Sequence, residues 1–204
     1  MDLEALQASL DEARSWRKLE LSHARALAES RRGCGEEAYL CRAWTMMIYA
    51  HCDQALKLVA KAYMKFLMTN PRADYDYQTV WLAFFGKEAI RNVSHERFSL
   101  CSAKDEGANL KKLSGITGKE IFSSSSFSYS SLRFFCEWVI QCQLDHNKYS
   151  AFCTTLKDKR DAIAHGEVLF IKDVDDCIAW HEPAISLLDD LADFTLKTAI
   201  RHAA

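Results

Sequence analysis

The sequence predicts an all-α protein. Only two prolines and seven glycines occur among its 204 residues, so residues that interrupt helices are scarce. Apolar residues recur at three- and four-residue spacing over long stretches, and no stretch alternates apolar and polar residues between turns as a strand would. Hydrophobic residues make up 49% and charged residues 26% of the chain, which excludes extensive disorder. We therefore expect a single helical domain over residues 1–204.

Two long helices are predicted in the first third of the chain. The first covers about residues 2–30 and ends before Gly33, and its apolar stripe consists of Leu3, Leu6, Leu10, Ala13, Trp16, Leu19, Ala24 and Leu27. The second runs from Glu36 to about Thr69 and is ended by Asn70 and Pro71. At 1.5 Å per residue it is roughly 50 Å long, so we expect it to be the spine of the domain. Residues 1–33 then form an N-terminal amphipathic helix, and residues 34–204 form the core of the bundle.

The rest of the chain is predicted to be helical, with a less regular middle. Residues 77–90 suggest an aromatic-rich helix, residues 94–118 a short helix with loops, and residues 123–131 a serine-rich loop. Ser130 or Ser131 would cap the following helix. Three further helices are expected over about residues 132–144, 148–165 and 173–202, the last with Pro183 as a kink or a second start.

Charge and cysteine content restrict the kinds of function. The formal net charge is -2 and the pI is about 6.4, which argues against broad, non-specific nucleic-acid binding but leaves room for a local positive pocket. The chain begins with acidic, amphipathic sequence rather than a secretory signal, so we expect a cytoplasmic protein whose eight cysteines are reduced. No apolar run approaches the length of a membrane span.

The residues most typical of a reaction site lie near the end of the helix predicted over residues 148–165. There Arg160 and Asp161 are followed by three small or apolar residues, then His165 and Gly166. Asp161 and His165 are four residues apart and share a helix face, so the carboxylate could hold the imidazole or raise its basicity. Arg160 and His165 lie about 140° apart on an ideal helix. To act on one phosphate they need a bent helix end or a second copy of the helix, which a two-fold dimer would supply.

This pair suits RNA cleavage. The ribose 2′-OH can attack the adjacent phosphate once a base removes its proton and an acid protonates the leaving 5′-oxygen, which are tasks for a histidine. An arginine can stabilise the charge that develops on the phosphoryl oxygens. The nucleophile belongs to the substrate, so the reaction requires no metal or other cofactor. The same pair also fits an ordinary helix end, where cations contact free carbonyls and Gly166 is the C-cap.

The surrounding residues resemble the HEPN superfamily of nucleotide-binding helical domains. Residues 156–167 resemble its signature, an Arg followed by a polar residue, a short apolar stretch and a His. Residues 42–53, which include Tyr49-Ala50-His51-Cys52-Asp53, resemble the long early helix of one bacterial HEPN group. The resemblance covers about residues 36–200 and implies an HEPN-like helical bundle.

The resemblance also implies a function. Many HEPN proteins are metal-independent endoribonucleases, active as homodimers, that serve as toxins of toxin–antitoxin modules or as effectors in anti-phage defence. By this resemblance Arg160 and His165 are the catalytic pair and Asp161 is the polar residue after the Arg. Asp53 is an additional acidic candidate. His51, beside it, is either a further catalytic candidate or a packed or interface histidine.

Partners follow from the same resemblance. They are an RNA substrate, a second copy of the chain, and an antitoxin or another protein of a defence system. In HEPN toxins that are modified by a nucleotidyltransferase antitoxin, a Tyr stands two residues after the His, where this chain has Glu167. The sequence therefore does not support neutralisation by that route. The alternative function is a non-catalytic HEPN dimer that binds RNA or nucleotides as a scaffold.

Other patterns are weaker. Residues 115–119 resemble a phosphate-binding loop, but Leu113 and Glu120 stand where a P-loop needs Gly and Ser or Thr. Cys142, His146 and Cys153 lack the close ligand pairs of structural zinc sites, so buried thiols are the simpler reading. Core or dimer packing is also the simpler reading of a set of aromatic residues that could stack on bases, namely Tyr75, Tyr77, Trp81, Phe84 and Phe85. The N-terminal helix could bind a partner helix, although packing on its own bundle is the default.

Overall fold

The computed structural model describes residues 1–70, 127–167, 171 and 173–203. Within these ranges the secondary structure is helical and contains no strand, which confirms the all-α fold class. The helices are α1 (Leu3–Ser30), α2 (Glu37–Thr69), α3 (Tyr129–Phe134), α4 (His146–Ala164) and α5 (Val174–Ala203). The expectations for residues 77–90, 94–118 and 115–119, and for the aromatic residues Tyr75, Tyr77, Trp81, Phe84 and Phe85, lie outside the described residues.

Helices α1, α2 and α5 form the main layer of the bundle, and α4 packs on α2 and α5. Helix α1 begins at Asp2, whose carboxylate accepts the backbone N–H of Ala5 at 2.8 Å. Glu37, in the first turn of α2, accepts the backbone N–H groups of both Gly33 and Val174. This side chain therefore joins the α1–α2 turn to the start of α5.

A row of ion pairs fixes α1 antiparallel to α5. Lys18 binds Asp189 at 2.7 Å, and Arg25 binds Glu182 at 2.6 Å. The row also includes Arg14 with Asp193 and Arg32 with Asp175. Since these side chains are partly exposed, each pair contributes only about 0.2–1 kcal/mol, and their main effect is to set the register of the two helices.

The apolar stripe predicted for α1 is correct in its first half, whereas in its second half only Ala24 packs against the core. Leu6, Leu10 and Ala13 are buried as expected. Trp16, Leu19 and Leu27 are instead about half exposed, and the buried positions of the later turns are Arg17, Leu21 and Ala28. Two successive three-residue steps, from Ala13 to Trp16 and to Leu19, turn about 120° away from the buried face, whereas the buried residues of the later turns stay near it.

Among the predictions for the described residues, the helix over residues 132–144 differs most from the structure. It begins three residues earlier, capped by Ser128 in a reciprocal pair with Ser131 rather than by Ser130 or Ser131. Its second half, Phe135–Val139, is a π-helix, and Gln141 then takes a left-handed φ of 52°, which stops the helix. The predicted helix included Cys142, but in the structure Cys142 lies beyond the end of the π-helix.

The other helices agree with the sequence to within two residues. Pro183 lies inside a continuous α5 and is not a second start. The core lies between α2 and its neighbours, and its largest fully buried side chains include Trp44, Tyr63, Phe66 and Tyr149. None of the helices that the structure describes combines the length and apolarity needed to cross a membrane.

Candidate functional site

Arg160 lies where α4 packs on α2. Its guanidinium carbon lies 5.1 Å from the centroid of the Tyr49 ring, over the face of the ring. One amino group, Nη1, donates to Oδ1 of Asp161 at 2.8 Å. This hydrogen bond raises the pKa of Arg160, and the negative charge of Asp53 adds to the effect. The side chain remains 36% exposed, so a fixed positive charge is open to solvent beside α2.

Asp161 binds two cations. Its second oxygen, Oδ2, accepts from the ammonium group of Lys157 at 2.9 Å. The hydrogen bond from Lys157, followed by that from Arg160, lowers the pKa of the Asp161 carboxyl, so this group is ionised at neutral pH. In the single chain the Asp161 carboxylate therefore contacts Lys157 and Arg160. The four-residue spacing had predicted a contact with the imidazole of His165 instead.

His165 is the C-cap of α4. Its backbone N–H donates to the carbonyl of Asp161 at 3.0 Å, and Gly166 follows with a φ of 70°, the left-handed conformation that favours glycine at a helix end. The side chain is exposed, and no residue within the described ranges forms a hydrogen bond or ion pair with it. An imidazole in this state is accessible to a substrate or to a second protein chain.

Asp53 lies one helical turn after Tyr49 on the side of α2 that faces α4. Its carboxylate accepts from the ammonium group of Lys57 at 2.6 Å and is 15% exposed. Tyr49, Asp53 and Lys57 thus form a row on α2. The Tyr49 ring lies beneath Arg160, and the charge of Asp53 acts on the same guanidinium. The structure places this acidic candidate near Arg160.

His51 does not join this group. Two residues correspond to about 200° on a helix, so His51 and Asp53 lie on opposite sides of α2. Nε2 of His51 lies 2.9 Å from the Glu20 carboxylate on α1, and its ring meets Trp16 edge to face. Burial lowers the pKa of His51, and the charge of Glu20 partly opposes this effect. Of the two interpretations of His51, the geometry fits the packed histidine.

A shallow cleft of about 390 Å³ lies along the first half of α4. The described residues that line it are His146, Asn147, Ser150, Ala151, Thr154 and Thr155. Ser150 and Thr154 lie on the same helix face as Asp161 and His165, because all four are separated by three- and four-residue steps. Polar groups therefore extend along one face of α4 toward His165.

The cysteines and histidine considered for zinc have other environments. Nδ1 of His146 pairs with the Tyr129 hydroxyl at 2.9 Å. Burial raises the pKa of Cys153 to about 12, so this thiol is protonated and unsuited to act as a nucleophile. In the part of the chain that the structure describes, no three His, Cys, Asp or Glu residues form a group that could hold a metal ion.

Tyr49 and Lys157 are the two site residues that were not predicted from the sequence. Tyr49 lies within the segment that carries the family resemblance, and its four-residue step to Asp53 was a signal that both face the same neighbour. Lys157 lies four residues before Asp161, which is a standard spacing for an ion pair on a helix. What could not be read from sequence is that the row on α2 faces Arg160, because this depends on how α2 and α4 pack.

The fold and the motif together define a class of protein. A helical bundle with a long second helix, and with an Arg–polar–apolar–His motif at the end of α4, has the organisation of an HEPN domain. The chain belongs to the HEPN superfamily, since the family model described as HEPN_MAE_28990-like HEPN matches residues 6–202. HEPN domains commonly dimerise and bind RNA, and many are ribonucleases. Comparison with curated proteins and with solved structures gives no match.

Proposed function

We propose that this protein is a metal-independent endoribonuclease whose active site forms when two copies of the chain associate. The observation that carries the proposal is the state of the two motif residues. Arg160 is held charged and partly exposed, and His165 presents an exposed imidazole without a partner among the described residues. Both groups are therefore open to a substrate, although Arg160 also pairs with Asp161.

The proposed chemistry divides between the two groups. His165 transfers the protons, as the base that activates the ribose 2′-OH or the acid that protonates the leaving 5′-oxygen. The free donors of Arg160 bind the phosphoryl oxygens on which negative charge develops. The P–O5′ bond breaks as the 2′-O–P bond forms, which leaves a 2′,3′-cyclic phosphate and a 5′-hydroxyl.

The remaining residues assist Arg160. We assign Asp161 the task of orienting the guanidinium of Arg160, because the Asp161 carboxylate accepts hydrogen bonds from both Arg160 and Lys157. Asp53 adds a negative charge near Arg160, which favours the position of the guanidinium beside α2. His51 is assigned to the α1–α2 interface and takes no part in the reaction.

The helix geometry supports the proposed dimer. Arg160 faces α2, whereas His165 lies about 140° further round and past the last turn of α4. A two-fold arrangement of the C-terminal ends of α4 places Arg160 of one subunit opposite His165 of the other. Ser150 and His165 are roughly 20 Å apart along α4, so an RNA strand that contacts Ser150 can follow the polar face of this helix to His165.

The first test replaces each motif residue. His165→Ala and Arg160→Ala are each expected to lower the RNA cleavage rate by at least about 100-fold, the size of losses on removing a general acid or base or a charge-stabilising donor. His23→Ala and Arg31→Ala are matched controls, since both side chains are exposed on or next to α1, away from the motif. Products of the native protein carry a 2′,3′-cyclic phosphate, and EDTA leaves the rate unchanged. Cleavage by both motif variants at the native rate contradicts the proposal.

In cells, the proposed role is that of a toxin or anti-phage effector that halts growth by cutting RNA. Expression of the native chain should arrest growth, and His165→Ala should relieve the arrest. Sequencing the new RNA 5′ ends after induction identifies the target. A growth arrest that persists in His165→Ala rules out this role for the cleavage reaction.

One observation favours a second candidate, an HEPN dimer that binds RNA without cutting it. Arg160 is already paired with Asp161 within the chain, and the net charge of -2 provides no excess of cations. This protein would bind RNA and never release a cyclic phosphate. The product analysis described above separates the two candidates.

A further inference from the structure

Tyr49 is held rigidly beside Arg160. Its side chain is buried, with 6% of the residue exposed, although it carries a hydroxyl group. That hydroxyl donates to the backbone carbonyl of Phe127 at 3.3 Å, and the two rings meet edge to face at 5.9 Å. The ring is thus fixed between α2 and the residue that precedes the cap of α3, with the Arg160 guanidinium over its face.

We propose that Tyr49 is a positioning residue for Arg160. The inference rests on the proposed function, in which the guanidinium stabilises the reacting phosphate. An aromatic face attracts a cation without occupying its in-plane N–H donors, whereas a carboxylate partner occupies them. Tyr49 therefore orients the guanidinium while leaving its edge available to an anion.

The two contacts of Arg160 have complementary effects. Asp161 binds one amino group, Nη1, and Tyr49 covers one face of the guanidinium. No other hydrogen bond to this side chain occurs within the described ranges, so Nη2 and Nε are available to donate to a phosphate. These two N–H groups lie along one edge, which is the geometry of bidentate phosphate binding.

The test combines two substitutions of Tyr49 with one of Arg160. Tyr49→Phe keeps the aromatic face and loses only the bond to Phe127, so its kcat stays within about threefold of native. Tyr49→Leu removes the face, and its kcat falls about tenfold or more with little change in KM, since small displacements of a catalytic group reduce rates by such factors. Tyr39→Leu is the control, because Tyr39 is 66% exposed at the start of α2.

The double variant distinguishes positioning from a general packing defect. If Tyr49 acts through Arg160, Tyr49→Leu lowers the residual rate of Arg160→Ala no further. If Tyr49 serves the fold alone, the two losses multiply, which overturns the inference. Fluorinated phenylalanines at position 49 keep the shape and fold and weaken the negative face of the ring, so kcat should fall as fluorine atoms are added. An unchanged kcat across that series also overturns the inference.

A measurement that needs no RNA keeps this inference separate from the proposed function. In ¹⁵N spectra of the arginine side chains, the Nε–H signal of Arg160 is identified by its loss in Arg160→Ala. We expect that signal to be preserved in Tyr49→Phe and to shift toward the position of a free arginine as the ring is fluorinated. A signal that does not move contradicts the contact itself. If the signal moves but the native protein does not cleave RNA, the proposed function fails and the orientation of Arg160 by Tyr49 stands.

Discussion

At the residue scale, the Asp161 carboxylate has two possible hydrogen-bond partners at four-residue spacing on its own helix. Lys157 and His165 lie four residues before and four residues after it, so either can reach its carboxylate. The ammonium group of Lys157 lies at the end of a flexible chain, whereas His165 is the C-cap of α4, past its last helical residue. Asp161 accordingly accepts from Lys157 at Oδ2 and from Arg160 at Oδ1. The imidazole of His165 is left exposed at the helix end, as the proposed proton transfer requires.

Two buried histidines give a prediction for stability against pH. Burial lowers the pKa of His51 and of His181 in the folded chain, in both cases against the pull of a nearby glutamate. The unfolded chain therefore binds protons more readily, and the free energy of unfolding should decline as the pH falls below about 6.5, the ordinary pKa of histidine. Urea unfolding at pH 7.5 and at pH 5.5 measures the decline. His181→Phe should reduce it, and the exposed His23→Phe should not. An equal decline in all three proteins contradicts the assignment.

At the element scale, α1 shows which part of an amphipathic pattern the sequence determines. The eight apolar residues predicted to form its buried stripe do not all lie on one face of a straight helix. The face that is buried in the later turns carries Arg17, Leu21 and Ala28. The buried Arg17 is held by a hydrogen bond to the carbonyl of Ala13, a side-chain contact that hydrophobicity alone cannot predict. Trp16, Leu19 and Leu27 are left on an exposed flank.

A pair of leucines on α1 tests this assignment. Leu10 is 1% exposed in the core and Leu19 is 58% exposed, so the same truncation has different consequences at the two positions. Leu10→Ala should lower the free energy of unfolding by about 2–5 kcal/mol, and Leu19→Ala should change it by less than about 0.5 kcal/mol. Chemical denaturation of both variants measures the difference. Comparable losses would mean that α1 is rotated relative to the arrangement described here.

At the scale of the whole molecule, α2 organises the chain. One side packs His51 on α1, and the other presents Tyr49 and Asp53 to the motif on α4. The sequence predicted the bounds of α1, α2, α4 and α5 closely, because caps, glycines and apolar spacing are local signals. It did not predict the π-helix after α3 or the contact of Tyr49 with Arg160, since both depend on tertiary packing. Arg160, Asp161 and His165 were identified as candidates from the motif, and the partners of Asp161 required the structure.

In the proposed reaction, Arg160 of one subunit and His165 of the other act on one phosphodiester. Mixing the inactive variants Arg160→Ala and His165→Ala tests it most directly. A mixed dimer pairs the intact Arg160 of one chain with the intact His165 of its partner and so regains one of its two sites. At equal concentrations, after subunit exchange, we predict recovery of about a quarter of the native cleavage rate, because about half of the dimers are mixed. A mixture as inactive as its components would contradict the shared site.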